Sequence, residues 1–198
     1  VRKGEYVARP ATITVKALDR IKPGDPSWGQ DYSERTKMVQ QLFRREFDAL
    51  KEQFYNNVDY HKDLLLRNYI YKGPVLEWYM RVKVRLEKNY RFFDELIPRD
   101  ARVTDIGCGY GFMSCMLAMT SENRSICGID YDGEKIDVAA HGIARPQNTS
   151  FIAGDALTVE FRPSDVFILA DVLHYLPAEQ QAQLLRKCAA HLNPGGML

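Results

Sequence analysis

No apolar run in this chain approaches the roughly 18–20 residues of a membrane-spanning helix, and no charged-then-apolar leader opens it. Cysteine is scarce: Cys108, Cys115, Cys127 and Cys188 are the four in 198 residues, and none stands in C-x-x-C spacing. With four scattered histidines they draw neither a disulfide framework nor a zinc site, and they read as buried thiols of a reducing compartment. Internal repeats and low-complexity tracts are absent, so solenoids and disordered tails are excluded. A large charge excess is also missing, with 27 Lys/Arg against 26 Asp/Glu. The soluble cytoplasm is the expected location.

The charge is unevenly spread. Residues 1–100 hold 20 Lys/Arg and 15 Asp/Glu (+5), whereas residues 101–198 hold 7 and 11 (−4). The basic half is either a solvated face or a contact surface for something anionic, a membrane surface included, and the acidic half does not favour nucleic acid as a partner. The chain opens at Val1 without a methionine and closes on Met197-Leu198, where an apolar strand is starting, so a piece of a longer protein is expected.

Three stretches differ in pattern. In 1–55, "ATITVKALDRI" alternates apolar and polar residues like a strand, and a Pro/Gly-rich loop, "KPGDPSWG", follows. From Asp31 the period becomes helical, through Met38, Val39, Leu42, Phe43, Phe47, Leu50 and Phe54, with Asp31 and Glu34 as a capping-box start. Residues 56–99 read as a helical linker or cap in which Pro74 begins a helix running to about residue 97. Its aromatics, Tyr69, Tyr71 and Tyr79 among them, either pack on a neighbouring domain or reach a ligand.

From 100 to 198 strands alternate with helices: strands at 102–106, 125–130, 150–153 and 166–170, helices at 112–119, 134–144 and 178–192, and a fifth strand starting at Gly196. That order predicts an α/β fold, a Rossmann-like doubly wound parallel sheet preceded by a mixed strand and helix segment. Ligands of such sheets bind outside the carboxyl ends of the strands. Chemistry is therefore expected directly after each strand.

The first strand ends in "DIGCGYG". Glycines at 107 and 109 let a ligand lie against the main chain, and Asp130, at the next strand end, is placed to accept both hydroxyls of a ribose. "AGDA" follows the third strand and "LADVLHYLP" the fourth. A nicotinamide or flavin site would need a glycine at 112, where the chain has Phe112, so an NAD(P)-dependent oxidoreductase is disfavoured.

On these residues the stretch 100–198 resembles a class I S-adenosylmethionine-dependent methyltransferase, C-terminally incomplete. The resemblance implies S-adenosyl-L-methionine as cofactor. It implies a loop of Asp105, Gly107, Cys108, Gly109, Tyr110 and Gly111 around the methionine moiety, with Asp130 on the ribose. Tyr131 would pack on the adenine, Asp155 and Ala156 would meet its edge, and Asp171 would face the amino-acid end and the acceptor. His174, three residues after Asp171, is a candidate base because an imidazole titrates near neutrality, although similar stretches occur without a catalytic histidine. The family's Asn/Asp-Pro-Pro-aromatic signature is absent here, so a small-molecule or lipid-like acceptor is expected rather than nucleic acid.

Residues 1–55 loosely resemble the tail of a glycerolipid-type acyltransferase, which implies a longer bifunctional acyltransferase/methyltransferase. A noncatalytic adaptor that keeps the nucleoside pocket is the alternative. The fourth strand is expected to present an open edge.

Overall fold

The computed structural model describes residues 14–22, 24–87 and 89–198. The chain divides into two units, one ending at Glu46 and one running from Phe47 to Leu198. In the first, residues 14–22 carry no regular secondary structure, and residues 11–13 of the expected strand lie outside the described residues. Alternation makes a strand only where a neighbour takes up its backbone groups, and residues 14–22 pair with none among the described residues. A 3₁₀ turn, Pro26–Trp28, is capped by Asp25, whose Oδ1 accepts from the Ser27 N–H at 3.0 Å and the Ser27 hydroxyl at 2.7 Å. Helix α1, Tyr32–Leu50, starts as expected: Asp31 Oδ1 accepts the Glu34 N–H at 2.9 Å, and Glu34 reaches back to the Gln30 N–H at 2.8 Å. None of its residues is buried.

The second unit is built on one five-stranded sheet. Strands β1 (Arg102–Ile106), β2 (Ser125–Asp130), β3 (Thr149–Ala153), β4 (Ser164–Ile168) and β5 (Leu192–Met197) lie in the order β3-β2-β1-β4-β5, every pair parallel. The order reverses between β1 and β4, which puts a switch-point crevice at their carboxyl ends. β4 does not present an open edge, because β5 starts at Leu192 rather than Gly196 and lies along it. The ladder is irregular there: Ser164 faces Leu192 and Val166 faces Met197, with Pro194, which has no N–H, and Gly195 at φ 79° in between.

Helices α5 (Phe112–Thr120), α6 (Gly133–Ala140) and α7 (Ala178–Ala190) are the crossovers. Upstream, α2 (Val58–Leu66), α3 (Pro74–Leu86) and α4 (Tyr90–Leu96) form the helical cap, with a 3₁₀ segment, Arg67–Lys72, between the first two. The single helix expected over 74–97 is two: α3 stops at Leu86, and Glu87, at φ −80° and ψ 104°, leaves helical geometry. The cap is not a detached linker. Val58, Leu65, Leu66, Tyr69, Met80, Val84 and Tyr90 share one buried cluster with Phe112, Cys115 and Met116 of α5. A second cluster joins Leu117 and Ala118 to Val103, Ile126, Val166 and Ile168 of the sheet. Among the described residues no helix is long and apolar enough to cross a membrane.

Candidate functional site

The turn after β1 is fixed by the neighbouring strand. The N–H groups of Gly107 and Cys108 both donate to the Ile129 carbonyl, at 2.7 and 3.1 Å, and Gly111 N–H closes the turn on the Cys108 carbonyl at 3.0 Å. All three glycines have positive φ (73°, 56° and 73° at 107, 109 and 111), but the space beside them differs. A Cβ on Gly107 would meet Val172 Cγ2 at 2.8 Å, and one on Gly111 would meet Ala139 and Phe151 at 2.8 Å. A Cβ on Gly109 would meet no heavy atom of the described residues beyond its chain neighbours within 4 Å. Protein fills the room at the outer two glycines, and the middle one faces a free cradle above the strand ends.

Asp130, the last residue of β2, closes that cradle. Its Oδ2 accepts the Gly109 N–H at 2.7 Å and its Oδ1 the Asp132 N–H at 2.9 Å, while its carbonyl accepts the Gly154 N–H at 2.9 Å. Each carboxylate oxygen has two acceptor positions, so one remains on each for a ligand hydroxyl. The carboxyl ends of β1, β2 and β3 are thus tied through one half-buried residue.

Asp105 sits beneath the turn, 3% exposed, and its Oδ2 accepts the Ser114 hydroxyl of α5 at 2.6 Å. Burial pushes its carboxyl up to about 6, the charge of Asp130 adds to this, and the Ser114 bond opposes it. The native carboxyl therefore keeps its proton to higher pH than the unfolded one, and its contribution to stability falls as pH rises from about 4 to about 6. A shift of about two units corresponds to about 3 kcal/mol. Urea unfolding between pH 4 and 7 is expected to show that decline in the parent and not in Asp105→Asn.

The helical cap reaches the turn. Tyr69 donates its hydroxyl to the Tyr110 carbonyl at 3.1 Å, and the rings of Tyr69 and Tyr79 meet the Tyr110 ring edge-on at 6.2 and 6.3 Å. Tyr71 is exposed, with Lys72 over its ring. A further group, not foreseen from sequence, lies at the end of α3. Lys83 Nζ donates to Glu87 Oε1 at 2.5 Å, and the Tyr90 hydroxyl donates to Glu87 Oε2 at 2.6 Å. Burial pulls the Lys83 ammonium down, but Glu87, Tyr79 and Asp171 outweigh it and hold it up. Lys83 therefore lies within electrostatic reach of Asp171. The only sequence signal was the i, i+4 spacing of Lys83 and Glu87, which describes solvated pairs equally well.

Residues 103–196 match the family model described as a methyltransferase domain. Residues 103–196 are a class I methyltransferase domain. Among curated proteins, the carboxy-S-adenosyl-L-methionine synthase of Psychrobacter arcticus is 29% identical over 141 residues, covering 69% of this chain and 53% of that protein. The protein of the same description from Chromohalobacter salexigens is 26% identical over 103 residues, covering 50% and 38%. The chain thus spans about half or less of the relatives it matches. Two solved structures share the fold. Human N-acetylserotonin methyltransferase in complex with SAM has a TM-score of 0.52 at 20% identity, over 65% of this chain and 38% of that one. The PH0226 protein of Pyrococcus horikoshii has a TM-score of 0.51 at 24% identity, over 59% and 57%.

The cofactor of a class I methyltransferase domain is S-adenosyl-L-methionine, and the residues present fit it. The cradle beside Gly109 is open where a Cβ would intrude, and the carboxylate beside it retains two acceptor positions. Gly109→Ala is accordingly expected to cost only about 1 kcal/mol of stability, for a side chain at positive φ. Its affinity for S-adenosylhomocysteine is expected to fall by tenfold or more. Thermal melting and calorimetric titration check the two halves.

The other expected positions in the methyltransferase domain are distributed as follows. Tyr131 is 84% exposed beside Asp130, free to lie on a planar ligand. Asp155 opens the turn after β3 and accepts the Leu157 N–H at 2.8 Å, and Ala156 follows it, half-buried. Asp171, after β4, is exposed at φ 54°, a strained value for a residue other than glycine. His174 packs against Tyr175, the rings tilted by 40° with centroids 4.0 Å apart, and no hydrogen bond to another described residue holds it. Burial pushes the thiols of Cys108 and Cys115 up, the latter to about 12, so both pack rather than react. Among the described residues no cluster of metal-ligating side chains occurs.

Proposed function

We propose that the chain transfers the methyl group of S-adenosyl-L-methionine to a small-molecule or lipid-like acceptor. The observation that carries this reading is the open cradle beside Gly109, closed by a carboxylate with acceptor positions to spare. The bound cofactor supplies an electrophilic methyl on a sulfonium. The chain's own residues would add alignment, exclusion of water and a proton acceptor. Asp130 holds the ribose hydroxyls, the 107–111 backbone holds the methionine end, and Asp155, Ala156 and Tyr131 hold the adenine. Asp171 faces the amino-acid end, and His174 accepts the proton of an acceptor hydroxyl or amine.

The apolar character of the acceptor is supported by α3. Val75, Tyr79, Val82 and Leu86 recur at helical spacing and are 80%, 46%, 37% and 74% exposed, on the same flank as the Tyr79 contact to the glycine turn. Joined to an acyltransferase in a longer chain, the domain would meet an acylated metabolite. The assay is incubation with methyl-labelled S-adenosylmethionine and a panel of hydroxylated lipids and aryl alcohols. Label in the organic phase, reduced about 100-fold by His174→Ala, is the expected result. Label that enters only nucleic acid or protein would overturn the acceptor class.

A second reading is favoured by the 141-residue likeness to a carboxy-S-adenosyl-L-methionine synthase, which extends beyond the 94 residues of the domain match. In that reading the cofactor is itself converted to the product, its methyl group losing a proton and gaining a carboxyl group from a carboxylic-acid co-substrate. Mass spectrometry separates the two: S-adenosylhomocysteine accumulates in the first and a heavier, carboxylated S-adenosylmethionine in the second.

A further inference from the structure

Between α2, α3, α4 and α5 lies a groove of about 350 Å³ that none of the cofactor-site residues lines. That volume is at the small end of the roughly 300–1,000 Å³ typical of small-molecule sites. Its floor is the core itself: Val58, Val84, Tyr90, Phe112 and Met116, none more than 6% exposed. Its rim is charged. Asp59 is paired with Arg91, and Glu87 is taken by Lys83 and Tyr90, so both rim carboxylates are already neutralised. Lys62 and Arg85 also line the groove, and neither has a partner among the described residues.

An apolar floor under two unpaired cations selects an occupant. A neutral apolar molecule would leave the cations without a counter-charge, and an inorganic anion would leave the floor wet. A cation would add to a rim that already carries the excess. We propose that this groove binds a small amphipathic carboxylate, its alkyl or aryl body on Val58, Val84, Phe112 and Met116 and its head on Lys62 and Arg85. Guanidinium and carboxylate match in charge and in planar, two-pronged geometry, and the apolar body removes surface from water at roughly 25 cal/mol per Å².

The groove abuts the cofactor site without sharing its residues. Phe112 follows Gly111 directly, and Glu87 is bonded to Lys83, which lies within electrostatic reach of Asp171. The proposal stands on the groove alone and does not require the methyl-transfer reading.

The test is a calorimetric titration of the whole chain with octanoate, with octylamine as the opposite-charge control. The Lys62→Glu/Arg85→Glu chain is titrated in parallel, and S-adenosylhomocysteine is titrated into both proteins. Octanoate is expected to bind saturably, octylamine not to bind, and the double variant to lose at least tenfold in octanoate affinity while keeping its affinity for S-adenosylhomocysteine. If the charge reversal unfolds the chain, Lys62→Gln/Arg85→Gln replaces it, with the same direction of loss. Equal binding of octylamine, unchanged octanoate affinity in the variant, or no saturation by octanoate would each overturn the proposal. Failure of S-adenosylhomocysteine alone would count against the cofactor site and leave the groove standing.

Discussion

Asp130→Ala is expected to bind S-adenosylhomocysteine about 100-fold more weakly than the parent, and in calorimetry to lose most of its saturable heat. In the proposed site the ribose loses two hydrogen bonds to a carboxylate, and at about 1.5 kcal/mol each, the low end for such bonds, that is about 3 kcal/mol, where 1.4 kcal/mol is a factor of ten in affinity. The Gly109 and Asp132 N–H groups also lose their acceptor, so the turn that forms the cradle loosens. Because the site is half-buried, water can take over part of that role, and the stability cost stays at about 1–2 kcal/mol. The variant should therefore remain folded while failing to bind. An affinity within threefold of the parent would remove Asp130 from the cofactor site.

Arg124→Ala should have the largest effect on stability. The Arg124 side chain is fully buried, and its guanidinium ties α4 to α5 just before β2 begins. Nη1 donates to Asp94 Oδ1 at 2.6 Å, to the Leu117 carbonyl at 3.2 Å and to Thr120 Oγ1 at 3.0 Å. Nη2 serves the Asp94 carbonyl at 2.9 Å and the Ile97 carbonyl, and Nε the Pro98 carbonyl at 3.0 Å. Truncation strips one donor from each of those carbonyls and from Asp94 Oδ1, which keeps the Thr120 hydroxyl at 2.5 Å, a loss of about 3–5 kcal/mol. Arg99 still pairs with Asp94 through two 2.9 Å bonds, which holds the loss within that range. Lysine cannot restore it, because one ammonium cannot span the fork of contacts. Urea unfolding of both variants checks the prediction, and a loss under 1 kcal/mol for Arg124→Ala would contradict it.

The strand ends were the most legible part of the sequence. Strands β1 and β2 fall on the expected residues because each is an apolar run bounded by a glycine turn or a charged loop. β4 runs two residues earlier than its apolar stretch suggests, since the chain must turn before Asp171 reaches φ 54°. The break between α3 and α4 carries no proline or glycine. It coincides with the bonds of Glu87 to Lys83 and Tyr90, which are visible only once the helices are packed. The Asp94–Arg124 pair joins residues 30 apart whose local context is ordinary for solvent-exposed charges, so no sequence window announces it. Alternation at 14–22 misled for the complementary reason: period two describes a strand's faces but not the partner that makes it one.

At the candidate site, the turn at 107–111 and the place of Asp130 were readable because each is a local feature of one strand end, glycines after β1 and the last residue of β2. The ties of Tyr69 and Tyr79 to Tyr110 were not, because aromatic residues on a helix pack on a neighbouring domain as often as they shape a site.

The most direct test of the central claim is calorimetric titration of the unmodified chain with S-adenosylhomocysteine, with NAD as the control ligand. Saturable binding of S-adenosylhomocysteine near one equivalent with no heat from NAD is the predicted result. Saturable binding of NAD, or a folded chain that takes up neither ligand, would contradict it.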